Sequence, residues 1–410
     1  MAKPKTALVV GAGIAGLSSA FHLAEKGIKR VILLDKGEVG AGSSTRSGAV
    51  NTMLMATKNA TLARGISFNL FERFERLLAD YDFHQDGCLA IYTPAQLESA
   101  SELHPMQRAA GARFEILSAQ TLQARFPDLV LKNDESGVLD LRGGWSEPDR
   151  YIPALAARIR AMGVEIRTQQ TVEDFLIANG RVQGVRLRGG GELRAEATVC
   201  TVNAWANSLL SRIGQSLPVR NFVHERFVTG PLPHPPQLPA VNDDAIGIYY
   251  RPTETKGLLL GTGAIEPEQI EPEPEFEFDQ LAPEPESLRF ILAAAKDRLP
   301  LIQNAGIADH RIGLVSYPID FLPNIGPVDA LPGLFLGTNF CSGGFGHHPM
   351  AGLLIAEYIV EGQTSFDGSD FAPDRFKDFD THSYLNQNIT HHQMVAAHAE
   401  RTRGFVRKKH

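Results

Sequence analysis

The sequence predicts an α/β fold: a Rossmann-like domain of parallel strands and helices, into which an antiparallel-sheet α+β domain is inserted. Three observations carry this. The first forty residues read as strand, glycine turn, helix, strand and acid. Residues 221–262 alternate apolar and polar side chains between proline-rich turns, as half-buried antiparallel strands do. A chain of 410 residues also exceeds what one small core organises, so two domains are the natural division.

The elements follow in order. Thr6–Val10 is a short apolar run, read as a buried parallel strand. Gly11, Gly13 and Gly16 come next in GxGxxG spacing, with Ile14 and Ala15 between the last two. A helix is predicted over Leu17–Lys26, and a second strand, Arg30–Leu34, ends at Asp35. Gly11 permits a tight turn, Gly13 lets backbone approach a pyrophosphate, and Gly16 lets the helix lie close to the sheet. The helix N-terminus offers unpaired N–H groups to phosphate, and Asp35 can accept both hydroxyls of a ribose. An acid there repels a 2′-phosphate. A lone GxGxxG is weak evidence, but here strand, helix and acid all stand in place.

After Asp35 comes Lys36 and a second loop of small residues containing Ser43, Ser44, Thr45, Arg46, Gly48 and Ala49. Plain nicotinamide-binding domains rarely need such a loop, whereas an extended flavin dinucleotide does. FAD is therefore the expected cofactor. Further along, Gly163–Arg167 suggests another sheet strand, Phe175–Ile177 and Val182–Leu187 a hairpin around Asn179-Gly180, and Ala197–Val202 another buried strand. In the inserted region the strand patterns are Arg226–Gly230, Gly247–Arg251 and Leu258–Gly261. Glu266–Glu286 is acidic and proline-rich, and reads as a solvated loop or a partly ordered one. Helices are predicted over Leu288–Arg298 and Met350–Val360, and a basic-ended one over His391–Arg407, followed by Lys408, Lys409 and His410. The division expected is 1–80, 141–220 and 319–365 for the cofactor domain, 81–140 and 221–318 for the substrate domain, and 366–410 as a C-terminal extension.

Composition bounds the partners. The formal net charge of -7 gives no general attraction to nucleic acid or anionic membrane. No apolar run reaches the ~18 residues of a membrane span. The three cysteines, Cys88, Cys200 and Cys341, form neither a CxxC pair nor a zinc spacing, which suits a reducing compartment. The expectations are a cytoplasmic protein and no metal site.

Several blocks together resemble a known family. They are Gly11 to Asp35, Gly42 to Ala49, Gly143-Gly144-Trp145-Ser146-Glu147-Pro148-Asp149-Arg150-Tyr151, Thr198 to Ala206, Gly247 to Pro252, and Asp320 to Pro327 followed by Pro332 to Phe335. In this order they are similar to the D-amino-acid oxidase-like flavoproteins, in the branch of sarcosine oxidase β-type subunits, dimethylglycine dehydrogenases and glycine oxidases. The resemblance covers about residues 5 to 362. It implies oxidation of an amine C–N bond by hydride transfer to flavin N5, giving an imine that hydrolyses. It also implies further cofactor contacts: Val172 near the adenine, Asn203, Ala204 and Trp205, Gly313 and Asp320, and the loop Gly343, Gly344, Phe345, Gly346 and His347.

Departures from the family pattern bear on the substrate. Val315 stands where members acting on primary amino acids usually carry an arginine, so an N-substituted or cyclic amino acid is favoured. Gly313 stands where small sarcosine oxidases attach FAD through cysteine, so non-covalent FAD is expected. Gly346 replaces a lysine linked to oxygen reactivity, which leaves dioxygen or an electron-transfer partner as acceptor. Asn203 stands where glycine is common.

For the chemistry, the candidates are Arg251, Tyr250, Tyr249, Tyr317, Arg46, His347 and His348, with His224 as a weaker pocket candidate. Alternation puts Tyr249 and Arg251 on one strand face and Tyr250 on the other. Arg251 is the expected carboxylate clamp, since a guanidinium binds carboxylate bidentately. If His347 or His348 supplies a cation for oxygen, reactivity should fall as pH rises through about 6.5. Two other functions stay open: an FAD-dependent 2-hydroxy-acid oxidoreductase, and a flavin-binding subunit of a larger dehydrogenase. The C-terminal tail is expected to act as an oligomer arm or a lid over a neighbouring subunit.

Overall fold

Thr6–Val10 lies inside a six-stranded sheet in the computed structural model, which describes residues 3–407; Lys408, Lys409 and His410 fall outside the described residues. Across that sheet the order is Asn324–Pro327, Leu334–Thr338, Ala197–Cys200, Thr6–Val10, Arg30–Leu34 and Glu165–Arg167. All neighbours are parallel except the first pair. Parallel strands need cover on both faces, and both are covered. On one side lie the helices Ile14–Glu25, Lys58–Leu77, Pro148–Ala161 and Gly344–Glu361, sharing one apolar core. On the other lies a three-stranded sheet built on the hairpin Val172–Ala178 and Arg181–Leu187.

The second sheet has eight strands, in the order Ile307–Pro318, Val219–Thr229, Leu258–Thr262, Ile248–Pro252, Ala240–Asp243, Cys88–Tyr92, Ser136–Asp140 and Phe114–Ser118. It is mixed rather than wholly antiparallel, because Ala240–Asp243 runs parallel to Cys88–Tyr92. Those strands come from segments far apart in the chain, and alternation within each says nothing of their relative direction. The helix Pro285–Arg298 covers this sheet through Ile291 and Ala295. It starts a turn earlier than predicted because Pro285 suits a first turn.

Other differences have local causes. The glycine-loop helix begins at Ile14 rather than Leu17, so its N-terminus abuts the turn itself. The helix predicted from Met350 begins at Gly344. Its glycines are helical positions whose missing side chains admit neighbours. A Cβ on Gly352 would meet Ser18 at 2.6 Å. The acidic segment 266–286 is a mostly exposed loop held at a few points, in keeping with the reading of a solvated or partly ordered loop. Phe278 and Leu281 are buried with Ala204, Val223 and Leu314, and Lys36 Nζ donates to the carbonyls of Pro274 and Phe276. The tail lies on its own chain, with helices Thr381–Leu385 and His391–Arg407. Among the described residues no helix is long and apolar enough to cross a membrane, and no cluster of His, Cys, Asp or Glu is placed to hold a metal ion.

Candidate active site

A cavity of about 690 Å³ runs from the glycine turn to the inserted sheet. At its first end Gly11 has a φ of 105°, a conformation that favours glycine. A Cβ on Gly16 would lie 1.8 Å from the Gly11 carbonyl oxygen, so the helix sits as close to the turn as backbone allows. Ser44 Oγ accepts from the Ile14 N–H at 3.1 Å, and a Cβ on Gly13 would lie 2.9 Å from the same oxygen. Asp35 accepts from the Ala12 N–H at 2.6 Å and the Gly37 N–H at 2.8 Å, which ties the two loops together. Burial pushes its carboxyl pKa up, against those hydrogen bonds. This donor set fits a dinucleotide: a glycine backbone at a helix N-terminus for pyrophosphate, and an acid for ribose.

Most of the expected cofactor contacts line this cavity. Gly11, Gly13, Ile14, Ala15, Asp35 and Lys36 form one end; Ser43, Ser44, Arg46, Gly48 and Ala49 form one wall. Val172, Asn203 and Trp205 border the first end, and Gly313, Gly343, Gly344, Phe345 and His347 the far end. Five candidates do not line it. Gly16 lies behind the turn, as its packing role requires. Thr45 turns its hydroxyl to the Gly40 carbonyl, and Ala204 is buried beneath Trp205. Asp320 is bound by Arg375 at 2.8 Å. Gly346 faces Arg64 rather than the cavity.

The reaction candidates divide. Tyr249, Tyr317 and His347 line the cavity. Arg251 does not: it is 0% exposed, pairs with Glu147 at 3.2 Å, donates to the Gly48 carbonyl at 2.6 Å and lies over Trp145. Alternation placed it on the Tyr249 face, but the cofactor-domain segments 48 and 145–147 cover that end of the strand. It is a strut between domains and has no substrate-facing donor. Tyr250 is spent on Asp243, donating at 2.9 Å. His348 is buried among Phe71, Tyr151 and Phe345.

Burial argues against either histidine as the cation for oxygen. Burial holds His347 and His348 well below the ordinary histidine range, so both are neutral at physiological pH. Each therefore opposes folding in acid. The unfolded imidazole takes a proton below about 6.5 and the native one does not, which removes about 1.4 kcal/mol per histidine per pH unit. Asp243 and Asp244, raised by burial to about 6, and Glu271, raised to about 7, act in the opposite sense over the same range, so the readout is a difference: from pH 7.5 to 5.5 the Tm of flavin-free His348→Gln should fall less, or rise more, than that of the native protein. Identical pH profiles for the two proteins would contradict a buried neutral His348.

The residue missed by sequence reading is Arg64. It is 4% exposed and lines the cavity, and neither its Nε nor its Nη1 has a hydrogen-bond partner. The first turn of Gly344–Glu361 makes room for it: a Cβ on Gly346 would lie 1.1 Å from Nη1, and one on Gly343 2.5 Å from Nη2. Asp140, the acid that acts on it electrostatically, is occupied by Thr52 Oγ1 and the N–H groups of Met53 and Arg142. Burial lowers the Arg64 pKa to about 10, so it stays charged at neutral pH. Its signal in the sequence was an arginine on the apolar stripe of a helix, in register with Ala60, Ser67 and Phe71. A further pair, His224 and Tyr317, meets in the far end at 3.1 Å, and burial takes His224 down to about 3.

Comparison with known proteins agrees with this geometry. The family model described as FAD dependent oxidoreductase, DAO, matches residues 6–358. The mitochondrial dimethylglycine dehydrogenase of Mus musculus is 25% identical over 92% of this chain and 45% of its own length. Thus the chain spans about half the length of that relative. The glycine oxidase of Pseudomonas putida is 25% identical over 90% of this chain and 98% of its own. Among solved structures, the L-proline dehydrogenase of P. horikoshii superposes with a TM-score of 0.83 at 23% identity, covering 92% of this chain and 99% of that one.

Proposed function

The chain belongs to the FAD dependent oxidoreductase family, and we propose that within it this protein oxidises the C–N bond of an N-substituted or cyclic amino acid. The observation that carries the reading is Arg64, a charged, unpaired guanidinium sealed into the same cavity as the dinucleotide cradle. A buried cation without a partner is costly, and an arriving carboxylate offsets that cost with charge-assisted hydrogen bonds. Arg64 thus takes over the clamp that Val315 lacks and that Arg251 is unable to provide.

The remaining groups suit an amine. Gly11, Gly13, Asp35 and Ser44 would hold FAD, which when bound supplies a hydride acceptor. Tyr249, His224 and Tyr317 line the far chamber and carry no charge there. The burial that keeps the His224 imidazole uncharged also disfavours an ammonium in the same chamber and so favours the uncharged amine, whose lone pair forms the C=N bond as the hydride leaves carbon. Water then hydrolyses the imine. Dioxygen or an electron-transfer protein removes the two electrons, with Arg64 as the resident cation.

The test is an anaerobic flavin-reduction screen with sarcosine, dimethylglycine, proline-like compounds, D- and L-amino acids and 2-hydroxy acids. Bleaching of the flavin by an N-substituted or cyclic amino acid is expected. Bleaching by hydroxy acids alone would replace the reading with a 2-hydroxy-acid oxidoreductase, and no turnover by the isolated chain would favour a subunit of a larger dehydrogenase.

A further inference from the structure

The C-terminal segment lies beyond the family match, which ends at residue 358, yet it reaches the cavity. Its helix His391–Arg407 starts against the inserted sheet. Glu266, from the acidic segment, accepts from the His391 N–H at 2.6 Å and the His392 N–H at 3.1 Å. Those two N–H groups are in the first turn and have no carbonyl of their own helix to bond, so Glu266 caps it. The preceding turn is held by Arg220, which donates to the carbonyls of Tyr384 at 2.6 Å and Gln387 at 2.7 Å. Further along, Arg401 donates to the Ile319 carbonyl at 2.7 Å, and Met394 is buried with Phe222 and Tyr317.

These anchors aim one side chain inward. The His391 ring is 4% exposed, lies 4.7 Å from Tyr317 and 5.4 Å from His224, and lines the cavity. Both of its ring nitrogens are buried without a partner. A buried polar atom without a partner is expensive, and its retention here calls for a ligand that supplies one.

We propose that His391 is a specificity-determining residue of the reaction site, closing the cavity of its own chain and accepting a hydrogen bond from the substrate's N–H. Burial lowers the His391 pKa, against the pull of Glu266, so an unprotonated ring nitrogen is available to accept. The tail is therefore part of the substrate chamber of its own chain.

This inference rests on the amino-acid reading of the site, and its test separates the two. The FAD-loaded full chain is titrated with two unreactive flat acids, pyrrole-2-carboxylate and 2-furoate, and binding is read from the flavin absorbance. The acids share a carboxylate and a ring but differ in the N–H. The native protein should prefer pyrrole-2-carboxylate by about tenfold, the worth of one neutral hydrogen bond. His391→Phe should bind both equally, through loss of the pyrrole ligand and not of the furoate. His391→Gln, which keeps an acceptor, should retain part of the preference and serves if the phenylalanine variant fails to fold. A preference undiminished in either variant would overturn the role of His391. If neither acid binds the native protein, the carboxylate reading fails with it.

Discussion

Arg64→Met should lower kcat/KM for an amino-acid substrate by about 10²–10³-fold while FAD remains bound, since removing one partner of a buried charge pair typically costs about 2–5 kcal/mol. The same change should make the flavin-free protein more stable. Arg64 has no acid bonded to it, and Nε and Nη1 have no acceptor, so methionine relieves an uncompensated buried charge. A merely structural arginine predicts the opposite sign. Two measurements therefore decide: the Tm of flavin-free native and variant proteins, and the Kd of an unreactive carboxylate read on the oxidised flavin. Arg64→Lys keeps the charge but loses the fork, and should fall between the two in Kd. If the methionine variant binds carboxylate as well as the native protein does, Arg64 is no clamp. A lowered flavin midpoint potential with unchanged carboxylate binding would instead make it a cation for the flavin.

Gly13→Val should leave a folded protein without flavin. The Gly13 backbone, at φ -73°, is open to any residue, so the fold tolerates a side chain there. The new Cβ, however, would lie 2.9 Å from the Ser44 Oγ that accepts from Ile14, and would stand between the glycine backbone and the pyrophosphate. Gly16→Val makes the control, because its Cβ would lie 1.8 Å from a backbone oxygen and neither side can yield. That variant should fail to give folded protein at all. Absorbance near 450 nm against protein concentration, with circular dichroism on the same samples, reads both outcomes. Stoichiometric FAD in purified Gly13→Val would show that the cradle is not where the pyrophosphate lies.

The cofactor half was legible because its requirements are local. A pyrophosphate at a helix N-terminus needs glycines a few residues apart and an acid at the end of the next strand, and all of these lie between Gly11 and Asp35. The helix and strand periods around them are equally local, so the elements were found with errors at their ends, as at Ile14 and Gly344.

The substrate half was less legible, for a physical reason. Alternation states which residues share a strand face, but not what covers that face. Tyr249 and Arg251 share one, yet the chain at Gly48 and Glu147 crosses above Arg251 and leaves Tyr249 to the cavity. Arg64 and Gly346 are 282 positions apart, and each alone is bland: an arginine in a stretch for which the sequence reading assigned no element and a glycine in a loop. Only their approach turns a missing side chain into space for a cation. His391 likewise needs Glu266, Arg220 and Tyr317 around it before it faces a substrate. By itself, then, the sequence determined the cofactor, the elements that cradle it and the family's chemistry, which depend on neighbours along the chain. The tertiary structure alone decided which charges are paired, which are left for a ligand, and which segment closes the chamber, because burial and pairing depend on neighbours in space.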